Sequence, residues 1–474
     1  MRPALVLLAL TACTAAPPEP APDAGSAQGD AGAAPEAGPS LGFLQFRVLH
    51  DLVTEACLAR GDCRLVFEEE TARLDPWLAA QAAVSTQAVL HYDRAIPWDV
   101  FAVPPPPGQD LVEAYDAQID ADLRAYLAAF ERRFAGAEQR YVAVSLLGGT
   151  RDRPAALRLP GGGERLVDEA CPSFTSTLSL SFGGAPVPVE ESYQRFVRYL
   201  AAKLRPTRLA LLVEANLFRR FCPARWPSLV ELYRRLYDRM RAELGPEVQL
   251  FATLTWAELL GYDADRCARP RFGPCDGAPP PLPPQLEAAA CFPLDFAPIA
   301  DLDSGGRLDV IALSFYPDGL VMSPPGLAEE IAVRPASAAT TTCAVHAALP
   351  QLLDPFAPLA KLPPKPLAIA EWSARSCAIP QWWPASPEPQ VVSLGASAAS
   401  QAWWLDRVFR LAEERRLEFI NYSFYADYAP IGLWMPRRGA MDPGIYNLLN
   451  GWACSGIFQD DLAVKREVRG HWPR

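Results

Sequence analysis

The chain has 474 residues, 50% of them hydrophobic, with 44 Lys and Arg against 55 Asp and Glu, a formal charge of -11. That length bounds one large domain with insertions or two of ordinary size. The acidic balance, with no basic cluster anywhere, excludes a nucleic-acid partner, which needs concentrated positive charge.

In chain order the first element is a leader. Arg2 precedes an apolar run from Pro3 to Leu10. Residues 1–12 are too few to span a bilayer as a helix and read as a signal peptide. Leu10-Thr11-Ala12-Cys13 looks like a bacterial lipobox. That resemblance implies that Cys13 is lipidated and heads the mature chain, and that Thr14 after it favours the outer membrane. The alternative is an ordinary secretory signal with a chance cysteine. Residues 14–40 are almost wholly Ala, Pro, Gly, Ser, Asp and Glu, without an aromatic. They cannot bury enough surface to fold, so they read as a disordered tether, and with the lipidated cysteine that the lipobox resemblance implies the segment 13–40 is expected to be an anchor and its tether. Beyond the leader no run approaches the ~20 apolar residues of a membrane helix, so membrane contact is expected through the N-terminal lipid only.

Eleven cysteines include Cys13 and leave ten at 57, 63, 171, 222, 267, 275, 291, 343, 377 and 454. An even remainder in an exported chain suggests up to five disulfides, with connectivity open. Cys57–Cys63 and Cys267–Cys275 would close local loops. No cysteine pair has zinc-finger spacing and only four histidines exist, so neither a metal nor an organic cofactor is expected.

Eight apolar runs of strand length follow, at 42–48, 86–92, 140–147, 208–215, 248–256, 308–316, 367–372 and 417–425. Their continuous apolar character suits parallel strands covered on both faces. Amphipathic stretches at 111–136, 191–206, 226–245 and 399–416 have helical spacing and lead into the next strand. The expectation is a single α/β domain over 41–474, a (β/α)8 TIM barrel. Long Gly/Pro-rich, cysteine-bearing segments at 148–190, 261–298 and 318–366 mostly follow strands. On a barrel they belong to the catalytic face, as disulfide-bearing walls of a cleft, or else are decoration.

In such a barrel reactive groups come from the C-terminal strand ends. Those ends carry Asp93 and Trp98 after strand two, Glu214 and Asn216 at strand four, and Trp256 and Glu258 at strand five. Tyr316 closes strand six, Glu371 and Trp372 close strand seven, and Tyr425 closes strand eight. Glu214 follows LALLV and Glu371 follows LAIA, so each carboxylate leaves a buried run. A charge there must face a polar cavity or pair with a cation. Arg219 or Arg220 is the candidate structural partner of Glu214, and Arg375 that of Glu371. Aromatic rings can stack on sugar faces while carboxylates bond hydroxyls, so Asp93, Trp98, Asn216, Trp256, Trp372 and Tyr425 are candidate substrate contacts. Asp93, Glu258, Asp318 and Asp427 could surround a metal, but their spacing does not demand one.

A glutamate ending strand four and another ending strand seven resemble the clan of retaining glycoside hydrolases with (β/α)8 barrels. VEANLF (213–218), LDVIALSFYPD (308–318) and LAIAEWS (367–373) are similar to the corresponding segments of its endo-β-1,4-galactanase-like members. The resemblance implies that Glu214 is the general acid/base, Glu371 the nucleophile, and Tyr316 the hydroxyl that holds the nucleophile. It also implies that Trp372 and Tyr425 line sugar subsites. The clan has Asn before the acid/base, which bonds the sugar 2-hydroxyl; Val213 stands there in this chain. Another residue then replaces it, or the substrate differs at C2, or activity is weak or lost. The expected partner is a polysaccharide or oligosaccharide. A non-catalytic carbohydrate-binding barrel and a structural envelope lipoprotein remain alternatives.

Overall fold

Eight short parallel strands carry the architecture in the computed structural model. It describes residues 38–44, 71–159, 163–182, 186–260, 294–316, 355–374, 376, 379–381, 390–392, 398–423, 455–457, 465, 468 and 470–472. The barrel strands are β1 (Ser40–Phe43), β2 (Gln87–Tyr92), β3 (Gln139–Val144) and β4 (Arg208–Leu212). They continue with β5 (Gln249–Thr255), β6 (Ile311–Phe315), β7 (Leu367–Trp372) and β8 (Phe419–Tyr422). The ladder runs β1-β8-β7-β6-β5-β4-β3-β2, every neighbour parallel. Between β1 and β2 the ladder gives way to a clasp. Thr86 N–H donates to the Leu41 carbonyl at 2.9 Å, and Leu41 N–H donates to Thr86 Oγ1 at 2.8 Å. The sheet is therefore nearly closed into a barrel. Strands β2, β4 and β6 are buried along their whole length, as expected of strands packed inside and out.

The helices around the sheet are α1 (Thr71–Ala82), α2 (Trp98–Ala102), α3 (Leu111–Asp116), α4 (Ala121–Ala135) and α5 (Val189–Leu204). They continue with α6 (Ala215–Phe221), α7 (Trp226–Leu244), α8 (Trp256–Leu260), α9 (Ala297–Asp303) and α10 (Ala398–Arg415). The expected single helix over 111–136 is two. Asp110 accepts from the N–H groups of Val112 and Glu113 to start α3, and Asp120 accepts from Leu123 N–H to start α4. A capping aspartate inside an otherwise periodic stretch breaks it, because its carboxylate satisfies the free N–H groups of a new first turn. Asp120 also takes the Arg158 guanidinium at 2.6 and 3.0 Å. Helix α7 stops at Gly245, whose φ of 75° the missing Cβ permits.

Strand β1 begins two residues earlier than the apolar run suggests; residues 45–48 lie outside the described set. The insertion after β3 contains two small antiparallel pairs, Leu157–Arg158 with Glu164–Arg165 and Ser179–Leu180 with Val187–Pro188. A disulfide, Cys171–Cys222, ties this insertion to the C-terminal end of α6 across 51 residues of sequence. Cys57, Cys63, Cys267 and Cys275 lie outside the described residues, as do the leader, Cys13 and the tether up to residue 37.

Inside the barrel an aromatic layer forms the floor. Tyr141, Phe251 and Phe419 meet at ring centroid separations of 6.1, 5.3 and 5.9 Å. Below them Arg208 lies over Phe419 and donates to Gln87 Oε1 at 2.5 Å, while Gln87 donates to Asn421 Oδ1 at 2.7 Å. Both ends of the Gln87 amide are thereby satisfied, while Asn421 Nδ2 finds no partner among the described residues.

Candidate active site

Two ladder irregularities set the position of the two glutamates. Between β6 and β7 the register steps from Leu313 opposite Ile369 to Ser314 opposite Glu371, leaving Ala370 unmatched. Between β4 and β5 it steps from Ala210 opposite Phe251 to Leu212 opposite Ala252, leaving Leu211 unmatched. A bulge re-aims the side chains that follow it. Each glutamate comes just after one.

Glu214 has a left-handed backbone, φ 49° and ψ 44°. A residue with a Cβ adopts this conformation only when its surroundings enforce it. Here its N–H donates to Thr253 Oγ1 at 2.8 Å, and Thr255 Oγ1 donates to its Oε1 at 3.2 Å. Its Oε2 faces Arg151 Nη2 at 3.1 Å. Arg219 and Arg220, the sequence-neighbour candidates, pair elsewhere, with Asp295 and Glu258. The cation at Glu214 is instead a residue of the β3 insertion.

Glu371 is buried, 3% exposed. Tyr316 donates its hydroxyl to Glu371 Oε2 at 2.8 Å, and the same hydroxyl lies 2.9 Å from Ser423 Oγ. With its proton committed to Glu371, Tyr316 accepts from Ser423. Burial pushes the Glu371 carboxyl up to about 8, and the nearby charge of Glu214 pushes the same way; Tyr316 and Arg151 oppose them. Glu371 therefore lies close enough to Glu214 to feel its charge. Burial, then Glu371 and Glu214, push the Tyr316 phenol well above its ordinary value, so it stays a donor. His91 Nε2 lies 3.8 Å from Glu371 Oε1. Burial first, with Arg151 assisting and Asp93 opposing, lowers its imidazole to about 4, so His91 is neutral near pH 7.

Asp93 receives Arg151 through both forks, Nη1 to Oδ1 at 2.8 Å and Nη2 to Oδ2 at 2.7 Å. Burial alone would raise this carboxyl, but the guanidinium outweighs it and holds Asp93 below its ordinary value. Ser145 Oγ and the Gly148 carbonyl accept from Arg151 Nη1 at 3.2 and 3.3 Å.

The structure brings Asp93, Glu214, Tyr316 and Glu371 into one constellation. The remaining candidates sit elsewhere. Trp98 is fully buried, and its indole donates to the Ala155 carbonyl at 2.8 Å. Trp372 follows Glu371 on the strand, so it turns to the opposite face, and it packs edge-on against Tyr422 at 4.8 Å with no exposed surface. Trp256 is 3% exposed. None of these three rings offers an open face for stacking. Asn216 joins α6 to β5, giving Nδ2–H to the Thr255 carbonyl at 2.9 Å and accepting Thr255 N–H at 2.8 Å. Its amide is satisfied by backbone, so its role here is architectural rather than substrate contact. Tyr425, Asp318, Asp427 and Arg375 lie outside the described residues. Glu258 is taken by Arg220 at 2.6 Å. Val213 is 1% exposed and brings no polar group to the site.

Arg151, Ser423 and Thr255 are the participants that sequence reasoning missed. Gly148-Gly149 ahead of Arg151 marks a turn after a strand, which places a basic residue near the barrel mouth. Nothing in the spacing says which carboxylates it meets.

No family model and no curated protein matches the chain. Among solved structures it is similar to fungal β-1,4-galactanases, at 14% identity and a TM-score of 0.41, over 84% of this chain and 89% of that one. It is similar to the GH53 catalytic domain of Ignisphaera aggregans, at 13% identity and a TM-score of 0.41, over 86% and 88% of the two chains. It is also similar to a glycoside hydrolase family 17 β-1,3-glucanosyltransferase from Rhizomucor miehei, at 10% identity and a TM-score of 0.38, over 84% and 91%.

Proposed function

We propose that this chain is a retaining O-glycosyl hydrolase that acts on an extracellular or periplasmic poly- or oligosaccharide by double displacement. The observation that carries the reading is the Tyr316 hydroxyl on Glu371 Oε2 at 2.8 Å, with the charge of Glu214 bearing on the same carboxyl. A tyrosine donor favours the ionised form of the carboxylate it touches. Burial holds the proton on Glu371 up to about 8 in the free protein, so the first step requires that proton to pass to Glu214 and leave Glu371 free to attack.

In the first step Glu371 attacks the anomeric carbon and the glycosidic C–O bond breaks. Glu214 gives its proton to the departing oxygen. In the second, water enters at the anomeric carbon, Glu214 takes its proton, and Glu371 leaves as a carboxylate. Such enzymes hold their carboxyl groups ~5–5.5 Å apart, which leaves no room for an intervening water. No metal or organic cofactor enters these steps. Because Val213 offers no hydrogen bond, the sugar 2-hydroxyl must be met by another group or be absent from recognition.

The proposal includes placement in the envelope. Residues 1–12 direct export, Cys13 carries lipid, and the stretch from 14 up to the start of the compact unit at Gly38 tethers the barrel at the outer membrane. The motivation is the lipobox-like quartet and the aromatic-free stretch that follows it.

Hydrolysis of 2,4-dinitrophenyl β-glycosides (galactoside, glucoside and mannoside) tests the chemistry. Glu371→Ala should abolish turnover, and azide should restore cleavage as a glycosyl azide. Retained activity in that variant would sink the assignment of Glu371. One observation favours the second reading, a carbohydrate-binding barrel without turnover: Glu214 is already engaged by Arg151. Glycan binding with no hydrolysis by the wild-type protein would establish it in place of the enzyme.

A further inference from the structure

Of the described residues with a Cβ, five have positive φ: Arg151, Cys171, Arg205, Glu214 and Arg416. Arg205 and Arg416 immediately follow α5 and α10, where a left-handed residue is a common way to stop a helix. The other three have no such explanation, and they belong to one connected device. Arg151 touches Glu214 directly. The carbonyl of Asp152, next to Arg151, accepts Cys171 N–H at 2.7 Å. Cys171 is bonded to Cys222, which closes the helix that Glu214 opens. Costly backbone conformations that gather at one place mark a geometry the surrounding structure enforces.

The guanidinium is fully used within that device. It is 5% exposed, its two forks go to Asp93, and its Nη2 and Nε also reach Glu214 Oε2 at 3.1 and 3.4 Å. Ser145 Oγ and the Gly148 carbonyl take the remaining Nη1 proton. No donor is left over for substrate. Its turn is pinned independently: Arg151 N–H donates to the Gly148 carbonyl at 2.8 Å, and Gly148 N–H to the Arg153 carbonyl at 2.9 Å.

We propose that Arg151 is a positioning residue, which fixes the Glu214 carboxylate relative to Glu371 by anchoring it to Asp93, and that the Cys171–Cys222 disulfide holds Arg151 in that place. The proposal deepens the glycosidase reading and rests on it for the role of Glu214. In this chain the residue before Glu214 is an apolar core side chain, so orientation comes from across the cleft. Only a planar fork serves: one ammonium cannot hold two carboxylates at fixed angles. The titratable groups facing Arg151, Glu214 and Glu371 are His91 of β2, Asp93 just after it, Tyr141 of β3, Tyr316 after β6 and Tyr193 of α5, the last near Asp93.

The test uses the whole protein, with activity on the dinitrophenyl glycosides and side-chain carboxyl titrations by 13C NMR. Loss of individual signals in E214Q and E371Q assigns the resonances. Arg151→Lys keeps the charge and loses the fork. It should lower kcat by roughly 10–100-fold, with KM little changed and both titrations near their wild-type midpoints. Arg151→Met removes the charge as well and should move the Glu214 and Glu371 titrations upward by about one pH unit or more. The double variant C171S/C222S should shift them the same way by less and lower kcat. Wild-type kcat in R151K, or unmoved titrations in R151M, overturns the role of Arg151. Unchanged titrations and kcat in C171S/C222S overturn the clamp. If R151M does not fold, R151K and the cysteine variant still decide. The titrations need no turnover. A wild-type protein that hydrolyses no aryl glycoside defeats the proposed reaction, while the R151M and C171S/C222S titrations still decide the anchoring.

Discussion

At the residue scale the site is a contest over one carboxyl. Burial and the like charge of Glu214 keep a proton on Glu371, while the Tyr316 hydroxyl and Arg151 draw it off. The contest has a consequence for stability. The carboxyl binds its proton up to about 8 in the folded chain but only to its ordinary value of 4.5 once unfolded. Between those limits the unfolded state has already lost the proton that the folded state retains. Folding stability from this group is therefore full below pH 4.5 and drains away as pH rises through about 8. Glu371→Gln keeps an acceptor for Tyr316 and cannot ionise. Its unfolding midpoint should match wild type near pH 4 and exceed it increasingly toward pH 9, by an amount on the order of 2 kcal/mol. Thermal unfolding across that range checks it; a constant difference would show that Glu371 titrates normally.

At the element scale the barrel depends on how strands approach one another at their irregular points. Gly42 in β1 is such a point. A Cβ built there would run into Val89 Cγ2 and Asn421 Oδ1, with Gln87 Nε2 at 3.3 Å. Those neighbours belong to β2 and β8, the strands on either side of β1, and Asn421 is held by Gln87. The absent side chain lets β1 sit between them. Gly42→Ala should destabilise the fold by about 1–3 kcal/mol, because the polar pair cannot move aside without losing its buried hydrogen bond. Urea unfolding measures this, and a variant as stable as wild type would mean that β1 shifts freely. The bulges before Glu214 and Glu371 serve the opposite purpose. They sacrifice a ladder pairing so that a carboxylate points into the mouth instead of into the wall.

At the scale of the whole molecule, the compact unit spans Gly38–Arg474. The proposed anchor predicts that a full-length Cys13→Ala variant leaves the membrane fraction of a bacterial host and no longer incorporates labelled palmitate. Its thermal midpoint should equal that of the lipidated protein, since a tether of Ala, Pro, Gly and acidic residues adds no buried surface. Continued membrane partition with label still incorporated would place the anchor elsewhere.

Strand and helix periodicity determined the α/β barrel, because each apolar run buries both faces and each intervening helix buries one stripe. The positions of Glu214 and Glu371 at strand ends were legible for the same reason: a charge that ends a buried run must leave the packed layer. Capping chemistry is also written locally, although helical spacing runs straight through Asp120, which in the fold starts a second helix. What the chain order could not show is which side chains meet across it. Arg151 is 63 positions from Glu214 and 58 from Asp93, and only the folded β3 insertion joins them. The three tryptophans at strand ends have the composition of a sugar platform, yet alternation along β7 and packing beneath the insertion put Trp372 and Trp98 inside. The disulfide partner of Cys171 was one of several until the insertion brought it beside Cys222. Local sequence determined the elements through hydrophobic period and backbone chemistry. Only tertiary structure decided the site, because its hydrogen bonds and charges act over ångströms between residues that lie far apart along the chain.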